Sequence, residues 1–123
     1  MEKGAIPMQQ SYDVVIIGGG VIGMEFASVF SALGCRVTVI EALERILANM
    51  DKEISQNLKM ILKKRGVDVH TKAAVTRVEK MEQGGWLCYY KEGADPKKTE
   101  QESWISADGL LVAVGRRACG EGV

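Results

Sequence analysis

The stretch VVIIGGGVIGME, residues 14–25, constrains the fold of this chain more than any other. Its four β-branched residues in a row suit a central parallel strand buried on both faces. Three glycines interrupt the run. From Val21 to Leu33, Ile22, Phe26, Val29, Phe30 and Leu33 then recur at helical spacing, and Gly34 is placed to end the helix in a left-handed C-cap. The segment reads as strand, tight turn, helix.

Within it, Gly18, Gly20 and Gly23 fit G-x-G-x-x-G. Gly18 lets the chain turn out of the strand, Gly20 keeps a Cβ away from an approaching pyrophosphate, and Gly23 lets the helix pack closely on the sheet. Free amides at the positive end of a helix dipole form an anion site. The next strand, RVTVIE, ends in Glu41, 18 residues after Gly23. A carboxylate there can accept the adenosine ribose hydroxyls and repel the extra phosphate of NADP, which predicts NAD(H) as the cofactor. Arg45, four residues on, is able in principle to meet that phosphate. Glu25 is read as a first-turn acid on a solvated face, where the helix dipole favours it.

The remaining pattern completes an α/β fold. Asp51 can cap a second helix whose Ile54, Leu58, Ile61 and Leu62 form one apolar stripe, with basic residues at its end and Gly66 closing it. Val67 to Thr71 reads as a third parallel strand. Ala74 to Met81, Trp86 to Lys91 and Glu102 to Ile105 read as a three-stranded meander with turns at Gly84-Gly85 and around Pro96. Gly109 to Val114 returns to the parallel sheet. Residues 1–10 lack periodicity and read as a loose leader before a single domain over 11–123.

Composition narrows the function classes. With 46% hydrophobic and 26% charged residues the chain resembles an ordinary globular domain. Sixteen Lys plus Arg balance sixteen Asp plus Glu, so there is no broad positive field and nucleic acid is not an expected partner. No stretch reaches the roughly 20 apolar residues of a membrane span, and no secretory signal is evident, so the expected compartment is the cytosol. Cys35, Cys88 and Cys119 form no C-x-x-C pair and have only His70 for company, which points to reduced thiols and to no metal site.

The segment from GGGVIGMEFASVF through VIEALERILANMDKEI to GVDVH, with LLVAVGRR near the end, resembles the NAD-binding domain of the flavin-dependent pyridine nucleotide-disulfide oxidoreductases. Within that family it most resembles the dihydrolipoamide dehydrogenases. The resemblance implies a Rossmann-like FAD/NAD(P)-binding three-layer fold, with a parallel sheet, helices on one face and the antiparallel meander on the other. It also implies that Gly18, Gly19, Gly20, Val21, Ile22 and Gly23 cradle the NAD pyrophosphate and that Glu41 holds the ribose. Val75 would offer backbone to the adenine and Gly115 would lie beside the nicotinamide. Glu25 matches an acid that, in this family, sits near the nicotinamide and the flavin.

The family's C-x-x-x-x-C redox pair and its His-Glu pair lie in FAD and interface domains, and neither pattern occurs here. The resemblance therefore implies that this chain carries no catalytic residue of its own. It is expected to bind NAD(H) without turning it over, FAD belonging to the full-length parent enzyme. SYDVVIIGGG resembles the opening of the family's FAD half, whereas VIGMEFASVF resembles its NAD half, so a join would fall on the shared glycines. The expected partners are the FAD and interface domains, or a second copy meeting an exposed apolar surface. Two readings stay beside this one: the NAD domain of an NADH oxidase or mercuric reductase, and a free-standing nucleotide-binding regulatory module.

Overall fold

β1, Asp13–Ile17, is the strand around which the rest is built in the computed structural model, which describes residues 12–93 and 101–114. Its β-branched side chains serve two layers. Val14 and Ile16 join one buried cluster with Met24, Ala27, Val37, Val39 and Leu62, while Val15 joins another with Ile40, Ala73, Cys88, Tyr90 and Ala107. Successive strand side chains point to opposite faces, so an unbroken apolar run is the pattern of a middle layer.

α1, Val21–Ala32, follows the glycines, and β2, Arg36–Ile40, pairs parallel with β1. α2, Lys52–Lys64, leads into the short β3, Asp68–His70, which pairs parallel with β2. β4, Ala73–Lys80, β5, Trp86–Glu92, and β6, Ser103–Ala107, form an antiparallel sheet. β7, Gly109–Val112, then pairs parallel with β1 on its other side. Among the described residues the parallel sheet runs β3-β2-β1-β7 and the meander β4-β5-β6. The expected three layers are present: helices, parallel sheet, meander.

Both helix ends follow the expected chemistry at their C-termini. Gly34 has φ of 93°, and the N–H groups of Gly34 and Cys35 donate to the carbonyls of Ser31 and Phe30 at 3.1 and 3.0 Å. At the start of α2, Asp51 occupies the N-cap, but its side chain makes no capping hydrogen bond. The helix dipole is met instead by Glu53 in the first turn and Lys63 and Lys64 in the last.

The buried faces differ from the apolar stripes legible in the sequence. α1 buries Gly23, Met24 and Ala27, while Ile22, Phe26, Val29 and Leu33 stand exposed. Small residues let the helix axis come close to the sheet, and that proximity turns the bulkier apolar residues outward. α2 buries Ser55 and Leu62 and leaves Ile54 and Ile61 half exposed, with Leu58 packed at the margin. Leu62→Ala is accordingly expected to lower stability by about 2–5 kcal/mol and Ile61→Ala by under about 1 kcal/mol in urea unfolding.

The thiols follow the same layering. Cys35 is free and partly exposed; Cys88 is free and lies in the meander core, where burial pushes its pKa up. The thiolate is the reactive form, so an alkylating reagent near neutral pH is expected to modify Cys35 long before Cys88, as read by peptide mass mapping. Early modification of Cys88 would contradict its burial. Cys119 lies outside the described residues, as does the turn at Pro96. No helix among the described residues is long and apolar enough to cross a membrane.

Candidate functional site

A cleft of about 760 Å³ opens at the carboxyl ends of β1, β2 and β7. It sits where the strand order reverses, β2 lying to one side of β1 and β7 to the other, which is where open α/β sheets place their ligands. Gly18, Gly19, Gly20, Val21 and Ile22 line it from the turn and the first residues of α1, Glu41 from the end of β2, and Val75 from β4. Seven of the ten sequence-derived site residues therefore meet in one place.

The glycines divide by what a side chain would meet. Gly18 has φ of 119°, in the region that excludes most side chains, and a Cβ there would lie 2.4 Å from the Ala113 carbonyl oxygen. A Cβ on Gly23 would lie 2.1 Å from the Gly18 carbonyl oxygen, and Ile16 of the sheet would be 3.5 Å away. These two glycines are needed by the fold itself. Gly20 is different: it is the N-cap of α1 with φ −80° and ψ −169°, an extended conformation open to any residue, and a Cβ on it would meet nothing within 4 Å.

Glu41 is held by two backbone amides. Its Oε1 accepts from the Gly19 N–H, and its Oε2 accepts from the Leu43 N–H at 2.8 Å. Both carboxylate oxygens are thus held at the cleft edge by backbone donors.

Residues 42–50 wall this side of the cleft, with Leu43, Ala48 and Asn49 at its lining. The Arg45 guanidinium does not line it. One terminal nitrogen donates to the carbonyls of Ala48 and Met50, both at 3.0 Å, so the cation able to meet a 2′-phosphate is tied into its own loop. Leu43, Ala48, Asn49, Ala73, Ala113 and Val114 were not marked as site residues by the sequence pattern. They are apolar or neutral, and the glycine motif includes none of them.

Glu25 stands apart. α1 begins at Val21 and carries no acid in its first turn, so Glu25 lies one step beyond the position expected for it. Its side chain is exposed, and with Phe26, Ser28 and Val29 it borders a separate shallow recess. Gly115 lies outside the described residues, while Ala113 and Val114 before it line the cleft. No group of three metal-ligating side chains occurs among the described residues.

This chain matches the family described as pyridine nucleotide-disulphide oxidoreductase over residues 2–122. It is 42% identical over 110 residues to the dihydrolipoamide dehydrogenase of Chaetomium thermophilum, an overlap of 89% of this chain and 21% of that protein. To the dihydrolipoyl dehydrogenase of Acholeplasma laidlawii it is 38% identical over 110 residues, covering 89% of this chain and 30% of that one. The solved structure of the HOCl-induced flavoprotein disulfide reductase of Escherichia coli superposes with a TM-score of 0.70 at 33% identity, over 88% of this chain and 22% of that one. The chain spans between about a fifth and a third of the length of these relatives. On the match of nearly its whole length, it belongs to the pyridine nucleotide-disulphide oxidoreductase family.

Proposed function

We propose that this chain binds NAD(H) in the cleft at the glycine turn and does so as the nicotinamide-nucleotide domain of a dihydrolipoamide dehydrogenase-like flavoprotein. The observation that carries the reading is Gly20. Nothing in the chain's own packing or backbone geometry requires glycine there, so the missing side chain keeps open a path to the amides at the start of α1. A pyrophosphate is the ligand group that such a bare, positive helix end suits.

The other residues support the nucleotide in its order. Glu41 accepts from the adenosine ribose hydroxyls with the lone pairs left free by Gly19 and Leu43, and Val75 sits on the adenine side of the cleft. NAD(H), when bound, supplies a hydride carrier; the chain's own residues bind it, orient it and disfavour NADP. Glu25 and the exposed apolar face of α1, with Ile22 and Phe26 at 53% and 40% exposure, form the docking side for the FAD and interface domains of the parent enzyme.

Calorimetric titration with NADH, NADPH and FAD tests the assignment. NADH is expected to bind, NADPH to bind more weakly and FAD not to bind. Tighter binding of FAD than of NADH would overturn it. Without added flavoprotein the chain is expected to reduce no artificial electron acceptor from NADH, and turnover by the purified chain would contradict that expectation.

A further inference from the structure

Ser55 is a polar residue at 1% exposure on α2, and it does not line the cleft. Its hydroxyl donates to the Leu47 carbonyl at 3.1 Å. Leu47 has φ of 50°, a left-handed conformation in which a branched side chain is uncommon. Its surroundings hold it there. The carbonyl also accepts from the Met50 N–H at 2.8 Å, and the side chain is buried in the helix-side core with Ile46 and Leu62.

The remaining group of Leu47 reaches the glycine turn: its N–H donates to the Gly19 carbonyl at 2.8 Å. A trans peptide is planar, so its C=O and the following N–H point in opposite directions. Fixing the Gly19 carbonyl on residues 42–50 therefore aims the Gly20 N–H away from that wall. The preceding peptide is fixed separately, through the Gly19 N–H on Glu41.

We propose that Ser55 is a positioning residue for the nucleotide phosphates, acting through Leu47 to set the Gly19–Gly20 peptide and so the direction of the Gly20 amide. The inference rests on the nucleotide-binding reading and deepens it. On that reading Glu41 touches the ligand, whereas Ser55 acts one hydrogen bond behind Leu47, whose N–H bonds the turn.

The test is Ser55→Ala, followed by the Gly20 amide resonance in nitrogen-15 NMR and by NADH titration. The Leu47 carbonyl keeps its Met50 partner, so the variant is expected to fold with a urea midpoint near that of the wild type. The Gly20 resonance is expected to move while the meander amides do not, and the NADH Kd to rise roughly threefold to tenfold. An unmoved Gly20 resonance overturns the proposal, whether or not affinity changes. If Ser55→Ala does not fold, Ser55→Cys, which keeps the volume and weakens the donor, is read in the same way. A wild type that binds no NADH overturns the nucleotide reading, and the Gly20 resonance still decides the positioning role.

Discussion

Gly20→Val is expected to fold and to lose NADH, whereas Gly18→Val and Gly23→Val are expected not to fold. The three positions belong to one motif, yet their demands differ in kind. A side chain on Gly18 or Gly23 would drive into a backbone carbonyl at 2.4 or 2.1 Å, and backbone has no rotamer by which to yield. Gly18 carries the added strain of its φ of 119°. Gly20 meets neither obstacle, so Val there costs the fold only about 1 kcal/mol, the usual penalty of a poor N-cap. The cost falls on the ligand, which loses its approach to the helix amides. An affinity loss of at least about a hundredfold, near 2.7 kcal/mol, is expected in calorimetry, with a cooperative thermal transition retained. Wild-type affinity in Gly20→Val would remove the main support for the cleft as a pyrophosphate site.

Glu41→Ala is expected to weaken NADH binding by about tenfold to a hundredfold and to erase the preference for NADH over NADPH. Replacing a charged hydrogen-bond partner at a bound ligand costs about 1.5–3 kcal/mol. The change in preference has a separate cause. In the wild type the carboxylate cannot swing away from a 2′-phosphate without stranding the Gly19 and Leu43 amides. Two like charges at about 4 Å repel by about 4 kcal/mol at an effective dielectric constant near 20. Arg45 gives no relief, because its guanidinium is held by the Ala48 and Met50 carbonyls. Glu41→Gln separates the two effects, since it keeps an acceptor for one amide and removes the charge. Parallel titrations with both nucleotides read the ratio, and a wild type that prefers NADPH would refute this role for Glu41.

Much of this was legible in the sequence because it rests on local rules. The glycine spacing, the acid closing β2 and the β-branched runs each report a backbone requirement, and the structure places them in one cleft. What stayed hidden depends on distance between elements. Ile22, Phe26, Val29 and Leu33 mark α1 as a helix, but Gly23 and Ala27 decide which side approaches the sheet, and periodicity alone weighs the larger residues more heavily. The same holds for Ile61 and Leu62 on α2. Arg45 illustrates a third case: a cation near an acid suggests a phosphate contact, whereas two carbonyls of its own loop occupy it. Leu47 gave no signal, since a left-handed leucine is set by its neighbours and not by its identity.

The pairing of β1 with β7 also sets an order in time. Val14 to Ile17 lie against Gly109 to Val112, and the Gly18 turn closes against Ala113, so the first and last described strands meet at the cleft. Contacts so distant in sequence form late, after the long intervening segment has been closed into a loop. During synthesis the amino-terminal half, glycine motif included, would leave the ribosome well before the strand that completes its site. A ribosome-bound chain halted before β7 should therefore retain no NADH, and capacity should appear over the few residues that add it.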